Sequence, residues 1–563
     1  MKRITTIITR PILLGLLSLF LIPYSVLAQT LNVQVGNVTY LFPASQAGVM
    51  PFSDGTTLTA MGKAFTLSEV DKMWVDETAV TDSTVTIAYN ASSAAVTVAG
   101  NIAKYVTVSL NGAHVSIAQS SDLATEITYA LSGTSANGSL TLAGSYKCTV
   151  SLAGVTLTNP SGAAINITNS KRIQLSAKSG TTNTLADCAS GSQKACIYSK
   201  GQLQLQGNGT LNVTGNTKHG IKSASYISVK NLTLNITSTV GDGINCEEYM
   251  EIKSGTLTLS GIGDDGIQCD LGGTASTGIT TDHEDEDTGN IYLSGGTVKV
   301  NCEYKGIKAA GDLEITDGDI HVVSNASASS NGNHWGGSSS TTGAPEAIEA
   351  KGAVSISGGQ IYAYSADDAI NAGGTLTISG GMVYAHSTSN DGIDSNGNCY
   401  IKGGLVYAVS ASSPEVGIDA NTEGGYKLYV QGGTIVAIGG LESGASLSQS
   451  CYSTGSSSSG GGRPGGGGWG GSSTSSWTAN TWYALTVGST TFAFKTPASG
   501  GSAMVVSGAS TPTLKSGVTA SGTSIFDGVG YYPATASGGS SVTLSSYSGG
   551  NSGFGPGGGG WGW

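Results

Sequence analysis

Acidic and amide side chains recur along this chain in step with isoleucine. Asp242, Asp265, Glu346, Asp368 and Asp391 each precede an isoleucine by two residues, while Asn245, Gln268, Glu349, Asn371, Asp394 and Asp419 each follow one directly. If successive repeats stack in register, these residues form two outward files with neighbouring carboxylates about 5 Å apart. Like charges at that range repel. A hard divalent cation resolves the conflict, since calcium takes roughly six to eight oxygens from carboxylates and amides. Two candidate calcium patches result. One joins Asp242, Asp264 and Asp265 with Asn245, and the other joins Glu346, Glu349, Asp367, Asp368, Asn371, Asp391 and Asp394, with Asp419 next along the file. The competing reading is polar turn residues favoured beside glycine.

Between the patches the files change sign, to Lys305 and Lys308, and an earlier repeat carries His219 and Lys222. A lysine beside calcium could remove the proton α to a uronate carboxyl group, the metal stabilising the enolate-like intermediate. The alternative is ion pairing with neighbouring repeats. A further column holds Tyr362, Tyr384 and Tyr407, and another holds Tyr400 and Tyr429 with Tyr292 further back. Rings repeated at this spacing suit the faces of sugars, or simply cover a wall. The run Asp282-His283-Glu284-Asp285-Glu286-Asp287 reads as a solvated loop.

The element that positions these residues is a short repeat, clearest in Asp242-Gly243-Ile244-Asn245, Asp265-Gly266-Ile267-Gln268, Asp368-Ala369-Ile370-Asn371 and Asp391-Gly392-Ile393-Asp394. Alignment on isoleucine gives Ile165, Ile197, Ile221, Ile244, Ile267, Ile307, Ile348, Ile370, Ile393 and Ile418, mostly 22 to 25 residues apart. Longer intervals are explained by insertions near Cys188, at 270–289 and at 325–344. Each unit continues into a second signature such as Val354-Ser355-Ile356-Ser357-Gly358-Gly359-Gln360-Ile361-Tyr362-Ala363, two alternating strands around a Gly-Gly turn. Three strands and three turns in about 22 residues close one rung of a parallel β-helix. Leucine-rich repeats lack support because no asparagine ladder appears. Ankyrin and tetratricopeptide repeats need helices.

The register sorts the cysteines. Two residues after the aligned isoleucine the side chain points inward, and that column reads Ser199, Ser223, Cys246, Cys269, Ala309, Ala350, Ala372, Ser395 and Ala420. Cys302 falls in a similar column with Ser324, Ser365, Ser387 and Ser410. Buried thiols are expected at Cys246, Cys269 and Cys302, with a Cys246–Cys269 bridge between rungs as the alternative. Cys188 with Cys196 is the better local disulfide candidate.

The expected organisation is a signal peptide over 1–28, an N-terminal β module over 29–120 and the repeat body over 121–447. A Gly/Ser-rich linker over 448–480, a C-terminal β cap over 481–548 and a Gly/Trp-rich tail over 549–563 follow. One helical turn is expected after Thr66 or Ser68, where Glu69 and Asp71 suit a helix start. The leader is inferred from Lys2, Arg3 and Arg10, the apolar run 12–22 and the Val26-Leu27-Ala28 cleavage context. Removing it takes the formal net charge from −12 to −15. That balance disfavours nucleic acid, and it repels anionic glycans unless cations intervene. No other stretch is apolar enough to span a membrane. With only 11% charged residues and 86 glycines, the composition is all-β.

From about residue 126 to 440 the chain carries Tyr129-Ala130-Leu131-Ser132-Gly133, Ala164-Ile165-Asn166-Ile167, Asn183-Thr184-Leu185-Ala186-Asp187 and the Asp-Gly-Ile and Gly-Gly rungs. This pattern resembles the secreted carbohydrate-binding parallel β-helix proteins typified by a clostridial cellulose- and pectin-binding protein. The segment Met504–Ser507 through Leu514–Gly517 looks like that family's cap. The resemblance implies a fold similar to polysaccharide lyases, bound calcium and affinity for cellulose and acidic sugars, without established catalysis. The expectation is therefore an all-β, right-handed single-stranded parallel β-helix of about ten or more coils. Its expected role is that of an exported calcium-dependent polysaccharide-binding protein. The metal would be held at the Asp-Gly-Ile type positions and sugars at Tyr362, Tyr384 and Tyr407. The alternatives are a lyase using Lys305 and Lys308 on uronic acid polymers, and a structural adhesin.

Overall fold

Alternating apolar residues in three short strands per repeat, separated by glycine turns, cannot bury their apolar face alone and must stack. In the computed structural model, which describes residues 29–272, 288–327, 344–411, 414–454 and 476–549, they do. The expected leader, the acidic run 282–287, most of the Gly/Ser-rich linker and the Gly/Trp-rich tail lie outside the described residues. The fold is all-β, with parallel sheets of many strands. Ile348–Ala350, Val354–Ile356 and Gln360–Ser365 make one rung. Each strand pairs in parallel with its counterpart in the next: Ile348 with Ile370, Val354 with Leu376, and Ile361 with Val383.

The ten aligned isoleucines pair successively from Ile165 to Ile418 and are fully buried. The column extends beyond them, back through Leu140 to Val115 and forward to Leu441. The inward column of small residues is buried as expected, from Ser199 to Ala420. All eight cysteines are buried thiols. Cys188 and Cys196 are therefore not joined. Cys188 instead accepts from the Gln193 side-chain amide at 3.3 Å in the insertion, while Cys196 faces the core.

The Gly-Gly turn has two separate causes. At the first glycine a Cβ would meet a carbonyl oxygen of the preceding rung, at 2.0 Å for Gly358 and 2.3 Å for Gly380. The second glycine adopts positive φ, 80° at Gly359 and 78° at Gly381, where other residues are strained.

The N-terminal strands continue the same sheets. Thr84–Asn90 pairs in parallel with Ile127–Ser135, and Ala113–Gln119 pairs in parallel with Gly138–Ala143. A 3-10 turn stands at Leu67–Glu69. At the other end Met504–Ser507 pairs antiparallel with Thr434–Ile438, so the parallel ladder stops at a strand of opposite direction. Trp482–Val487, Thr490–Lys495, Thr513–Ile525 and Gly530–Val542 form a closed four-stranded barrel. It packs against the coil wall that carries Tyr384 and Tyr407, through Phe492, Phe494 and Phe526.

Two outcomes follow from this contact. Tyr407 is fully buried against the barrel and its hydroxyl donates to the Lys495 carbonyl at 3.0 Å. Tyr407→Ala should lose about 3–5 kcal/mol of stability and Tyr407→Phe about 1 kcal/mol, read from denaturant midpoints. His386 accepts or donates a 2.8 Å hydrogen bond with Tyr384, and burial lowers its pKa to about 4. Because the folded pKa lies below the unfolded value, its contribution is present above about pH 6.5 and is lost as pH falls toward 4. The loss amounts to about 3 kcal/mol. His386→Gln should remove that part of the acid sensitivity, seen as a narrowing stability gap between pH 7 and the acid range.

Candidate functional site

The file two residues before each isoleucine lies at a bend where the strand begins. Here side chains take over as acceptors for the amide of the next rung. His219 Nδ1 accepts from Asp242 N–H at 3.1 Å, Asp242 from Asp265 at 3.3 Å, and Asp265 from Lys305 at 3.0 Å. The motif returns when Asp368 accepts from Asp391 at 3.1 Å and Asp391 from Val416 at 2.6 Å. His219 Nδ1 also lies 3.3 Å from Asp242 Oδ2. These carboxylates lie outside the apolar core and yet are buried, Asp368 at 5% and Asp391 at 8% exposure.

Three groupings emerge. In the first, oxygens of Asp242, Asp264 and Asp265 lie within 4.8 Å of one another. Asn245 donates to Asp242 at 2.8 Å, and Lys308 pairs with Asp265 at 3.1 Å. Burial, with Asp242 and Asp265 beside it, raises Asp264 to about 6. In the second, Lys305 Nζ stands 2.6 Å from both Glu346 and Glu349, with Lys351 also against Glu349. The Glu349 Oε2 contact with Lys305 lacks hydrogen-bond geometry despite its length, so it acts as a charge contact. Burial pushes both glutamates up, but the two lysines bring Glu349 below its ordinary range while Glu346 stays raised.

In the third, oxygens of Asp391, Asp394 and Asp419 lie within 4.8 Å of one another. Asn371 joins Asp368 to Asp394 through bonds of 2.9 and 3.0 Å. Asp367 stands at the side, accepting from Asn390 at 2.6 Å. Among the described residues no lysine, arginine or histidine forms an ion pair with Asp368, Asp391, Asp394 or Asp419. Burial, then neighbouring carboxylates, pushes Asp391 up to about 8 and Asp419 up to about 11. Asp368 and Asp394 are raised for the same reasons. The donor set is all oxygen, partly buried and short of positive charge, which is the chemistry of a hard divalent cation site.

The expected second patch is thus divided. Glu346 and Glu349 have a built-in ammonium, whereas the aspartates beyond them do not. Glu415 and Glu442, outside both patches expected from the sequence, also bear on the third grouping. Glu442 follows Leu441, which pairs with Ile418, so it is the next member of the file; alignment on isoleucine alone passes over it.

The tyrosine strip is placed differently from the expectation. Tyr362, Tyr384 and Tyr407 do stand in register, and His321 stacks on Tyr362 at 4.3 Å. The barrel covers them, leaving Tyr384 4% and Tyr407 0% exposed, with Tyr362 half-buried. A contiguous apolar strip of this kind needs cover, and another part of the same chain supplies it. Tyr400 and Tyr429, stacked at 4.8 Å on a different wall, remain half-buried. Lys305 and Lys308 occupy ion pairs, and the net effect of their carboxylates outweighs burial to raise both pKa values.

The geometry defines a class: a repeat protein of stacked parallel rungs with carboxylate clusters along one wall. Within that class, residues 111–392, half of the chain, match the model of the carbohydrate-binding domain-containing protein family, and the chain belongs to it. A carbohydrate-binding domain-containing protein of Acetivibrio thermocellus is 27% identical over 92 residues, 15% of this chain. The match spans about a third, 32%, of that relative's length. A solved polysaccharide lyase-like protein from C. thermocellum, a gadolinium derivative, aligns at a TM-score of 0.36 and 20% identity. That alignment covers 43% of this chain and 92% of the other.

Lys305 provides a direct test of the second grouping. Lys305→Met strands the buried Glu346 carboxylate and leaves Glu349 with Lys351 alone, and should cost about 3–5 kcal/mol. Adding Glu346→Gln and Glu349→Gln should restore most of it, measured by urea unfolding.

Proposed function

We propose that this protein is an exported, calcium-dependent polysaccharide-binding protein without catalytic activity, and that its rungs wind as a right-handed single-stranded parallel β-helix. Family membership supports the carbohydrate ligand. The observation that carries the calcium reading is the third grouping, where Asp391, Asp394 and Asp419 converge without a cationic partner among the described residues. Asp391, Asp394 and Asp419, with Asp368 and Asn371 beside them, would hold the ion, and Asp242, Asp264 and Asp265 a second. Bound calcium supplies positive charge through which an acidic glycan can approach an acidic wall. The side chains present the oxygens, and the rung-to-rung amide bonds hold them in place.

The lysines support a non-catalytic role. A general base must be unprotonated at working pH, and Lys305 and Lys308 are held in the protonated state by Glu346, Glu349 and Asp265. No described helix is long and apolar enough to cross a membrane.

Capture on insoluble cellulose and on pectin gel, with calcium or with chelator, tests the reading. We expect retention with calcium and loss with chelator. Calcium at about a hundredfold excess over its Kd should add about 2.7 kcal/mol of stability, and Asp391→Asn with Asp394→Asn should abolish that gain. Chelator-indifferent capture would sink the metal dependence, and no capture at all would sink the polysaccharide reading. Unsaturated product from polygalacturonate, seen by absorbance, would show a lyase instead.

A further inference from the structure

The turns that follow the first strands of the isoleucine-column sheet border an open cavity of about 330 Å³ lined by Ser145, Tyr146, Lys147, Lys171, Arg172 and Gln202. It lies at the edge where the strands leave that sheet, whereas the aspartates stand where they enter. Arg172 and Asp264 are separated by four rungs, about 19 Å along the stack. The cavity brings three cations together in a chain of formal net charge −12. One carboxylate faces them: Glu126 Oε2 lies 3.6 Å from Lys147 and 3.5 Å from Arg172, leaving a net charge of +2.

The cavity is built and not merely lined. Arg172 is steadied by Glu126 and by Gln204 at 3.3 Å, and Gln204 is itself held by the Tyr226 hydroxyl at 3.0 Å. Two of the five guanidinium N–H groups are thereby occupied, so donors remain for a ligand. Asn169 ties the turn together, donating to the Tyr146 carbonyl at 2.5 Å and accepting from the Lys171 amide at 2.9 Å. Among the described residues the Lys171 ammonium has no partner. A guanidinium, ammonium groups and a phenol ring around one cavity match a carboxylate carried on a sugar ring.

We propose that this cavity is a subsite for a uronate residue of an acidic glycan, gripped directly by Arg172, Lys171 and Lys147 without a metal. The proposal rests on the polysaccharide-binding reading and assigns the anionic sugar a second, metal-free anchor. Direct ionic contact makes this binding fall with salt and persist in chelator, the opposite of what the aspartate clusters require.

The test is calorimetric titration of the full chain, in chelator at low salt, with a short oligogalacturonate and with a neutral cello-oligosaccharide of equal length. The expected result is binding of the first and not the second. Arg172→Gln should weaken it about tenfold and the exposed Lys171→Gln about threefold. Wild-type binding in both variants would overturn the proposal, as would full displacement by an equal concentration of inorganic phosphate, which marks a plain anion site. Absence of binding in chelator, alongside intact calcium-dependent capture on pectin, overturns this subsite and leaves the polysaccharide reading standing. Absence of both overturns the reading as well.

Discussion

Parallel strands paired in register set the terms for everything else in this molecule. A rung spacing of about 4.8 Å means that whatever side chain occupies a position is repeated beside itself along the stack. Inside, the multiplication is favourable: the isoleucine column is dry from Ile165 to Ile418. Backbone approach at the Gly-Gly turns is the companion cost, met by leaving out Cβ at Gly358 and Gly380. Outside, the same rule puts carboxylate beside carboxylate. At that distance and an effective dielectric near 20, each like-charge pair costs about 3 kcal/mol.

The chain answers that repulsion in three ways along one wall. Asp242, Asp265, Asp368 and Asp391 each accept an amide of the following rung, and a hydrogen bond to a charged group contributes about 1.5–3 kcal/mol, enough to balance one neighbour. Lys305 and Lys308 neutralise the middle rungs. Around Asp391, Asp394 and Asp419 several carboxylates share one space, no cationic side chain among the described residues pairs with them, and burial with mutual repulsion raises their pKa values, so that protons take up part of the charge. In each capping bond one carboxylate oxygen serves the fold and the other faces its neighbours, as polar turn residues beside glycine do.

The walls divide the remaining work. One apolar wall, bearing Tyr384 and Tyr407, is spent on holding the C-terminal barrel. The polar edges of the isoleucine-column sheet stay available, negative where strands enter and positive at the Lys147, Lys171 and Arg172 cavity where the first strands leave. Placing opposite charges on the two edges of a narrow sheet keeps them from neutralising each other.

The repeat period, the inward columns, the glycine turns and both acidic files were legible in the residues, because periodicity of 2 within strands and of about 22 between rungs is a local property of the sequence. Even Glu442 was legible in principle, one residue past Leu441, had leucine been allowed in the isoleucine column. The division of Glu346 and Glu349 from the aspartates beyond them depended on where the Lys305 side chain reaches across rungs, which spacing does not state. Cys188 and Cys196 are close in sequence, yet the fold turns one to the insertion and the other to the core. Register determines which side chains share a file. Only the tertiary structure decides whether a file faces solvent, as the tyrosines under the barrel demonstrate, because that depends on which distant segment of the chain comes back to cover it.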